Sequence, residues 1–329
     1  MSGDIQKIYI TGVAGMIGSN TAKEFLKKGN RVIGVDNLWR GTQKNIEALI
    51  DEENFEFRHA DIISDQDWFN DMGQDDILIH IADIVAGIGF VFSHEWTVFQ
   101  KNLLINTSLA RVVFSKQPRK LLYLGTACSY PQQMQRSVTE SQLRESDKYP
   151  ADPESGYGWS KLIGEIEFRL ATKDIATQCV ILDLHNVYGW PCVYADNTSQ
   201  VIPSLINKAL KSEDGNLHVW GNGEQGRAFL HVSDVVSAIV KAISHDGEDF
   251  STFMIGPSTC TTIREIAEII ISHPRVGASK IVYDTSKPTG DIGRYADSTL
   301  AQAELGWQPE MDLRHGLYSL IEAIIDDLE

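Results

Sequence analysis

The stretch "YITGVAGMIGSN", residues 9–20, restricts this chain more than any other. A short apolar run leads straight into Gly12, Gly15 and Gly18, and those glycines open a helical pattern that ends at Gly29. Glycines at this spacing answer three needs. One lets the chain turn tightly, one lets the backbone approach a pyrophosphate, and one lets the helix pack closely on the strand. The helix start then offers free N–H groups and a partial positive charge to an anion. The stretch therefore predicts a strand–loop–helix unit of a kind that works only inside a parallel sheet.

The rest of the first half repeats that alternation. "KIYITG", "RVIGVD", "FEFRHADI", "DDILIHIAD", "KLLYLGTA" and "TQCVILDLHNVYG" read as six strands, with "VFQKNLLINTSLARVVFSK" and "GYGWSKLIGEIEFRLATK" as helices between them. Strands alternating with helices imply an α/β, Rossmann-type doubly wound parallel sheet. After Gly189 the pattern loosens into the helical "QVIPSLINKALKS" and "IREIAEIIISH" and the strand-like "LHVWGNGEQGRAFLHV" and "KIVYD". The expected organisation is an NAD-binding domain over 1–189 and a smaller mixed α/β substrate domain over 190–329. Part of 228–256 is expected to return to the first domain, because "VSDVVSAIVKAISH" reads as a helix suited to pack on it. A chain of 329 residues is long enough for both.

Asp36 ends the second strand. Its carboxylate suits the hydroxyls of an adenosine ribose and repels a 2′-phosphate, which points to NAD rather than NADP. Met16 and Ile17 at the helix start, and Asn37 and Arg40 beside Asp36, complete the expected cofactor contacts; Arg40 is the one residue here that suits a 2′-phosphate. Asp61 and Ile62 in "RHADI" offer an acid and an apolar face for an adenine, or simply a strand-end turn.

Composition narrows the partners. Lys and Arg number 29 against 45 Asp and Glu, a net charge of −16, which disfavours nucleic acid and membrane surfaces as general partners. Four cysteines without CxxC spacing predict neither a zinc site nor a disulfide framework, so no metal is expected. No apolar run approaches a membrane span, and "MSGDIQKIYITG" lacks the pattern of a secretory leader, so a cytoplasmic protein is expected.

The chemistry concentrates on Tyr157 and Lys161 in "SGYGWSKLIGE". Four residues apart on a helix, they share one face. An ammonium near a phenol favours the phenolate, which can exchange a proton with a substrate hydroxyl while hydride moves. Thr126, ending the fifth strand, offers a hydroxyl to the same oxygen. Asn102 and Asn106 on the long helix read as structural residues. Asp234 in "FLHVSDV" reads as a helix N-terminal residue, and Trp159 as a packing residue at a dimer helix bundle.

Taken together, "TGVAGMIGSN", "GYGWSK", "HNVYG", "VWGNGEQGRAFLHVSDV" and "GRYADSTLAQAELGWQP" resemble the extended short-chain dehydrogenases/reductases that act on nucleotide sugars. The resemblance covers nearly the whole chain. It implies a seven-stranded dinucleotide-binding domain, tightly held NAD and a homodimer. Two branches, the GDP-mannose 3,5-epimerases and the GDP-fucose synthases, carry a cysteine where this chain has Cys128 in "LGTACSYP". "ADIVAGIGF" and "DLHNVYG" look closer to the epimerases, and "SQVIPSLINKAL" to the synthases.

The resemblance makes Cys128 a proton carrier. A ketone at C4 of a hexose acidifies C3 and C5, and a thiol can take and return a proton there; the plain alternative is a small buried thiol. The second carrier of those branches, a lysine or histidine, falls at Gln200, which cannot serve. His94, His185 and Tyr194 are the available replacements, or the chain works at C4 alone. By the same resemblance Gly87, Asn186, Lys208, Gln225, Arg227 and Arg294 contact the nucleotide sugar, the cations suiting its diphosphate. For Cys179, Cys192 and Cys260 no motif appears.

Overall fold

In the run Lys7–Thr11, Ile8 and Ile10 face one side and Tyr9 the other, and all three are wholly buried. A strand enclosed on both faces must lie inside a covered sheet. The structure, a computed structural model, describes residues 5–139, 142–196, 198–287 and 292–329. Around that first strand, β1, run β2 (Arg31–Asp36), β3 (Phe55–His59), β4 (Ile77–His80), β5 (Lys120–Thr126), β6 (Gln178–Leu184) and β7 (Phe250–Ile255). They form one seven-stranded sheet in the order β3-β2-β1-β4-β5-β6-β7. Every neighbouring pair is parallel. The order reverses between β1 and β4, and at such a point the crossovers diverge and leave a crevice beyond the carboxyl ends of the strands.

Helices cover both faces. Helix α1 (Met16–Lys27) buries Ala22 and Phe25 on the side of Ile8 and Ile10. On the other side α2 (Glu95–Lys116) and α3 (Gly156–Thr172) bury Leu109, Val113 and Phe168 against Tyr9, Tyr123 and Ile181. A second core gathers α4 (Val201–Leu210), α6 (Ile263–Ile271) and α7 (Leu313–Leu328) around Ile206, Leu217, Val219, Ile266 and Ile321. Between α4 and α6, helix α5 (Val232–Ser244) packs beside α1, with Val235, Ala238 and Ile239 in the first core, and β7 then extends the sheet.

Two elements differ from the sequence reading. The sixth strand was expected to run to Gly189, but it ends at Leu184. Asn186–Tyr188 turns off and pairs instead with Phe229–His231. The backbone loses nothing at the turn: His185 N–H donates to Ile255 O at 3.1 Å and Asn186 N–H to Ala228 O at 3.2 Å. An apolar run carries no mark of a change of partner. The stretch "LHVWGNGEQGRAFLHV" is three short strands, Asn216–Trp220, Gly226–Arg227 and Phe229–His231, each with a different partner. Among the described residues no helix is long and apolar enough to cross a membrane.

Candidate active site

A cavity of about 1240 Å³ opens at the carboxyl ends of the strands. One end is the glycine loop. Gly12 has φ +72°, and a Cβ there would stand 2.8 Å from Ala82 N. A Cβ on Gly18 would stand 2.1 Å from Gly12 O, so α1 could not sit down on β1 with any other residue at that position. Helix α1 begins after Gly15 with no side-chain cap and no acid in its first turn. Met16 and Ile17, which carry its first N–H groups, line the cavity. That is an anion cradle, and it fits the pyrophosphate of a dinucleotide.

The ribose end is equally formed. Asp36 sits at the end of β2, its two oxygens accepting Ala14 N–H at 2.9 Å and Leu38 N–H at 2.8 Å. Burial raises its pKa and these bonds oppose the rise. Asp61 Oδ2 accepts Asn37 Nδ2 at 3.0 Å, and Ile62 is buried beside it; all three line the cavity. Arg40 turns its guanidinium across the cleft to Thr198 O, 3.3 Å away.

At the centre stand the four residues that the motifs single out. Thr126 ends β5, and its hydroxyl oxygen accepts Cys128 N–H at 3.2 Å. The half-buried Cys128 opens into the cavity and accepts a hydrogen bond from Arg294 Nη2 at 3.0 Å. Tyr157 and Lys161 share the first turns of α3. The start of that helix presses on the Cys128 turn, since a Cβ on Gly158 would stand 2.2 Å from Cys128 O. Sequence spacing predicts that Lys161 lowers the phenol pKa. The balance here runs the other way: burial, then the Asp83 carboxylate, hold Tyr157 well above the ordinary phenol range. Lys161 Nζ is 3.0 Å from Asp83 Oδ2, so its charge is already answered.

The far wall belongs to the C-terminal region. Gly87, Asn186, Gln200, Lys208, Gln225, Arg227 and Arg294 all line the same cavity. Gly87 N–H donates to Thr198 O at 2.9 Å, and a Cβ on Gly87 would stand 2.3 Å from Ser199 O. Lys208 Nζ lies 5.2 Å above the Trp220 ring, and burial lowers its pKa. Gln200 is the residue before α4. Arg294 is only 6% exposed and donates to Gln135 as well as to Cys128, so it faces the thiol more than open cavity. Among the described residues, several buried polar atoms on this wall have no protein partner: Asn186 Oδ1, Gln225 Oε1 and both ring nitrogens of His185. Buried polar atoms are as a rule paired, so such a wall suits a hydroxyl-rich ligand.

Of the three replacements for Gln200, only His185 lines the cavity. Burial, with Arg294 and Arg227 nearby, holds its imidazole at about 3, so it is neutral at pH 7. His94 is exposed on the other side of its turn, and the Tyr194 hydroxyl donates to Asp327 at 2.6 Å. Asn102 and Asn106 are buried braces: Asn102 Oδ1 accepts Ile84 N–H at 2.7 Å, and Asn106 Oδ1 meets His80 Nε2 at 3.2 Å. Asp234 accepts the N–H groups of Glu310 and Met311, away from the cavity. The sequence reading missed Asp83, Gln135 and Trp220. Only Asp83 left a signal, a lone acid at the carboxyl end of a buried strand. Among the described residues no cluster of His, Cys, Asp and Glu could hold a metal ion.

Known proteins resemble this chain over most of its length. The model of the NAD dependent epimerase/dehydratase family matches residues 8–256. GDP-mannose 3,5-epimerase 1 of Oryza sativa subsp. indica is 29% identical over 311 residues, 94% of this chain and 79% of the relative. GDP-L-fucose synthase of Escherichia coli strain K12 is 25% identical over 334 residues, covering 98% of this chain and 97% of the relative. The crystal structure of UDP-glucuronic acid 4-epimerase from Bacillus cereus, in complex with UDP-glucuronic acid and NAD, superposes with a TM-score of 0.84. It is 25% identical and covers 98% of this chain and 100% of that one.

Proposed function

The chain belongs to the NAD dependent epimerase/dehydratase family, and from that premise we propose that it epimerises a nucleotide sugar, a GDP-hexose, through a transient 4-ketone with proton exchange at C3 or C5. The observation that carries this reading is the thiol of Cys128 on the wall that also presents Thr126, Tyr157 and Lys161. A carbon acid needs a base within reach of the carbon, and a C4 oxidoreductase has no use for one there.

Bound NAD supplies a hydride acceptor that makes C4 a ketone and later returns the hydride. Gly12, Gly15, Met16, Ile17 and Gly18 would hold its pyrophosphate, Asp36, Asn37 and Arg40 its ribose side, and Asp61 and Ile62 its adenine. Tyr157 is the group placed to exchange the proton of the C4 hydroxyl: it is protonated in the free site, and its phenolate, which accepts the proton, would be favoured beside a cationic nicotinamide, while Thr126 holds that oxygen. Cys128 removes the proton from C3 or C5 and returns one to the same carbon. Gly87, Asn186, Gln200, Lys208, Gln225, Arg227 and Arg294 form the substrate side, with Arg294 set against the thiol. GDP rests on the similarity to the rice and bacterial GDP-sugar enzymes. The four cysteines are unpaired, which suits a reducing compartment such as the cytoplasm. The assembly is a homodimer through the apolar outer faces of α2 and α3.

A second reading has one observation in its favour: Gln200 stands where a second proton carrier is expected. The chain would then act at C4 alone, as a dehydrogenase, reductase or 4-epimerase. Turnover of GDP- and UDP-hexoses in deuterated water separates the two. Deuterium appearing at C3 or C5 supports proton exchange, and Cys128→Ser should abolish it while C4 oxidation persists. Turnover with no solvent deuterium at either carbon sinks the first reading and leaves the second.

A further inference from the structure

Asp83 falls in the stretch "ADIVAGIGF" without a role assigned to it there, and it sits at the reacting end of the cleft. It follows β4 at its carboxyl end, next to Ala82, whose backbone nitrogen borders the Gly12 turn. Its side chain is 8% exposed, that of Lys161 5%, and their charged atoms are 3.0 Å apart. Lys161 has a second partner in the face of the Tyr123 ring, 4.4 Å from Nζ to the centroid. A buried carboxylate is costly to keep, and a helix can be tied to a strand without one. Its place among the reacting groups calls for a reason of charge.

The charges that face this point can be named from every neighbouring element. Lys161 comes from α3, Asp83 from the end of β4, Arg40 from the loop after β2, and Asp196 from the chain before α4. His80 on β4 is held at about 3 by burial and is neutral. Tyr123 on β5 and Tyr157 on α3 are held protonated, and Cys128 lies beyond Tyr157. Lys161 and Arg40 face Asp83 and Asp196, and the Arg294 guanidinium stands further along against Cys128. Removing Asp83 takes away one of the two anions and leaves the point positive.

We propose that Asp83 determines which oxidation state of the cofactor this site prefers, holding the cationic oxidised nicotinamide more tightly than the neutral reduced one. The inference rests on the reading that Tyr157 serves the carbon that gives up hydride. That carbon would touch both the phenol and the nicotinamide, so the ring would lie on the far side of the reacting carbon from the phenol that neighbours the carboxylate. One unit charge at that separation, screened as in a protein interior, favours a cation by about tenfold or more. The preference suits a cycle in which the hydride must return to its sugar.

The test is equilibrium binding, with no turnover needed. Dissociation constants for NAD⁺ and NADH are measured by calorimetry on the wild type, Asp83→Asn and Asp83→Glu. The wild type is expected to bind NAD⁺ the tighter, Asp83→Asn to shift the ratio toward NADH by about tenfold, and Asp83→Glu to keep it. An unshifted ratio in Asp83→Asn overturns the proposal. Should that variant fail to fold, because it leaves Lys161 buried without its partner, the wild-type ratio decides: NADH bound as tightly as NAD⁺ overturns it equally. Tyr157→Phe checks the underlying reading separately, since retained turnover in that variant refutes the role of Tyr157 whatever the binding ratio is.

Discussion

At the scale of residues, the site is a set of buried titratable groups whose surroundings determine their state. His185 is the plainest case. Burial, with Arg294 and Arg227 beside it, holds the imidazole at about 3, against 6.5 for a free imidazole. Between those values the unfolded chain binds a proton that the folded chain refuses. The stability this contributes is therefore whole above the unfolded value and is lost as pH falls from about 6.5 toward 3. The loss by pH 4 is roughly 3 kcal/mol for one such histidine. Urea unfolding from pH 7 to pH 4 should show this decline, and His185→Gln should flatten it. An equal slope in that variant would mean that other groups carry the acid sensitivity. Tyr157 teaches a related lesson. A lysine four residues away is expected to lower its pKa, but an acid from the loop after β4 pairs with that lysine first.

At the scale of elements, the junction of β1 and α1 decides whether a cofactor site exists. The helix start must come down on the Gly12 turn, and Gly18 is where it touches. Gly18→Ala places a methyl group 2.1 Å from a backbone oxygen, a contact that no side-chain rotation relieves. The expected result is a loss of about 1–3 kcal/mol in stability together with weakened NAD binding, seen in thermal melts with and without cofactor. A variant as stable and as tightly binding as the parent would show that α1 can shift without harm. The end of β6 works in the opposite sense. The chain leaves the sheet after Leu184, and this turns His185 and Asn186 toward the cavity instead of along the sheet.

At the scale of the whole molecule, α2 and α3 leave an apolar outer surface. Trp96 is 70% exposed, Leu170 66% and Phe114 61%, with Leu104, Trp159 and Ile166 among them on the same two helices. Apolar residues gathered on adjacent helices mark an association surface. Sedimentation should find a dimer, and Leu170→Glu with Phe114→Glu should give a monomer of unchanged circular dichroism. A dimer that survives both charges would put the contact elsewhere. Tyr157 and Lys161 lie on the inward side of α3 and Trp159 on its outward side, so this apolar surface is one helix thickness from the reacting groups.

The sequence by itself determined what depends on neighbours in the chain. The glycine loop, the alternation of strand and helix, Asp36 at the end of β2 and the placing of Tyr157 and Lys161 on one face of a helix are all set by spacings of a few residues. A period of two or of 3.6, or a turn that only glycine tolerates, is visible without knowing what lies opposite. Tertiary structure alone decided what depends on distant partners. Asp83 meets Lys161, Arg294 reaches Cys128 across 166 positions, and the strand that was expected to continue to Gly189 changes partner after Leu184. No local pattern encodes these meetings. An ionisable side chain takes its charge and its role from the groups that packing brings against it, and those come from any part of the chain.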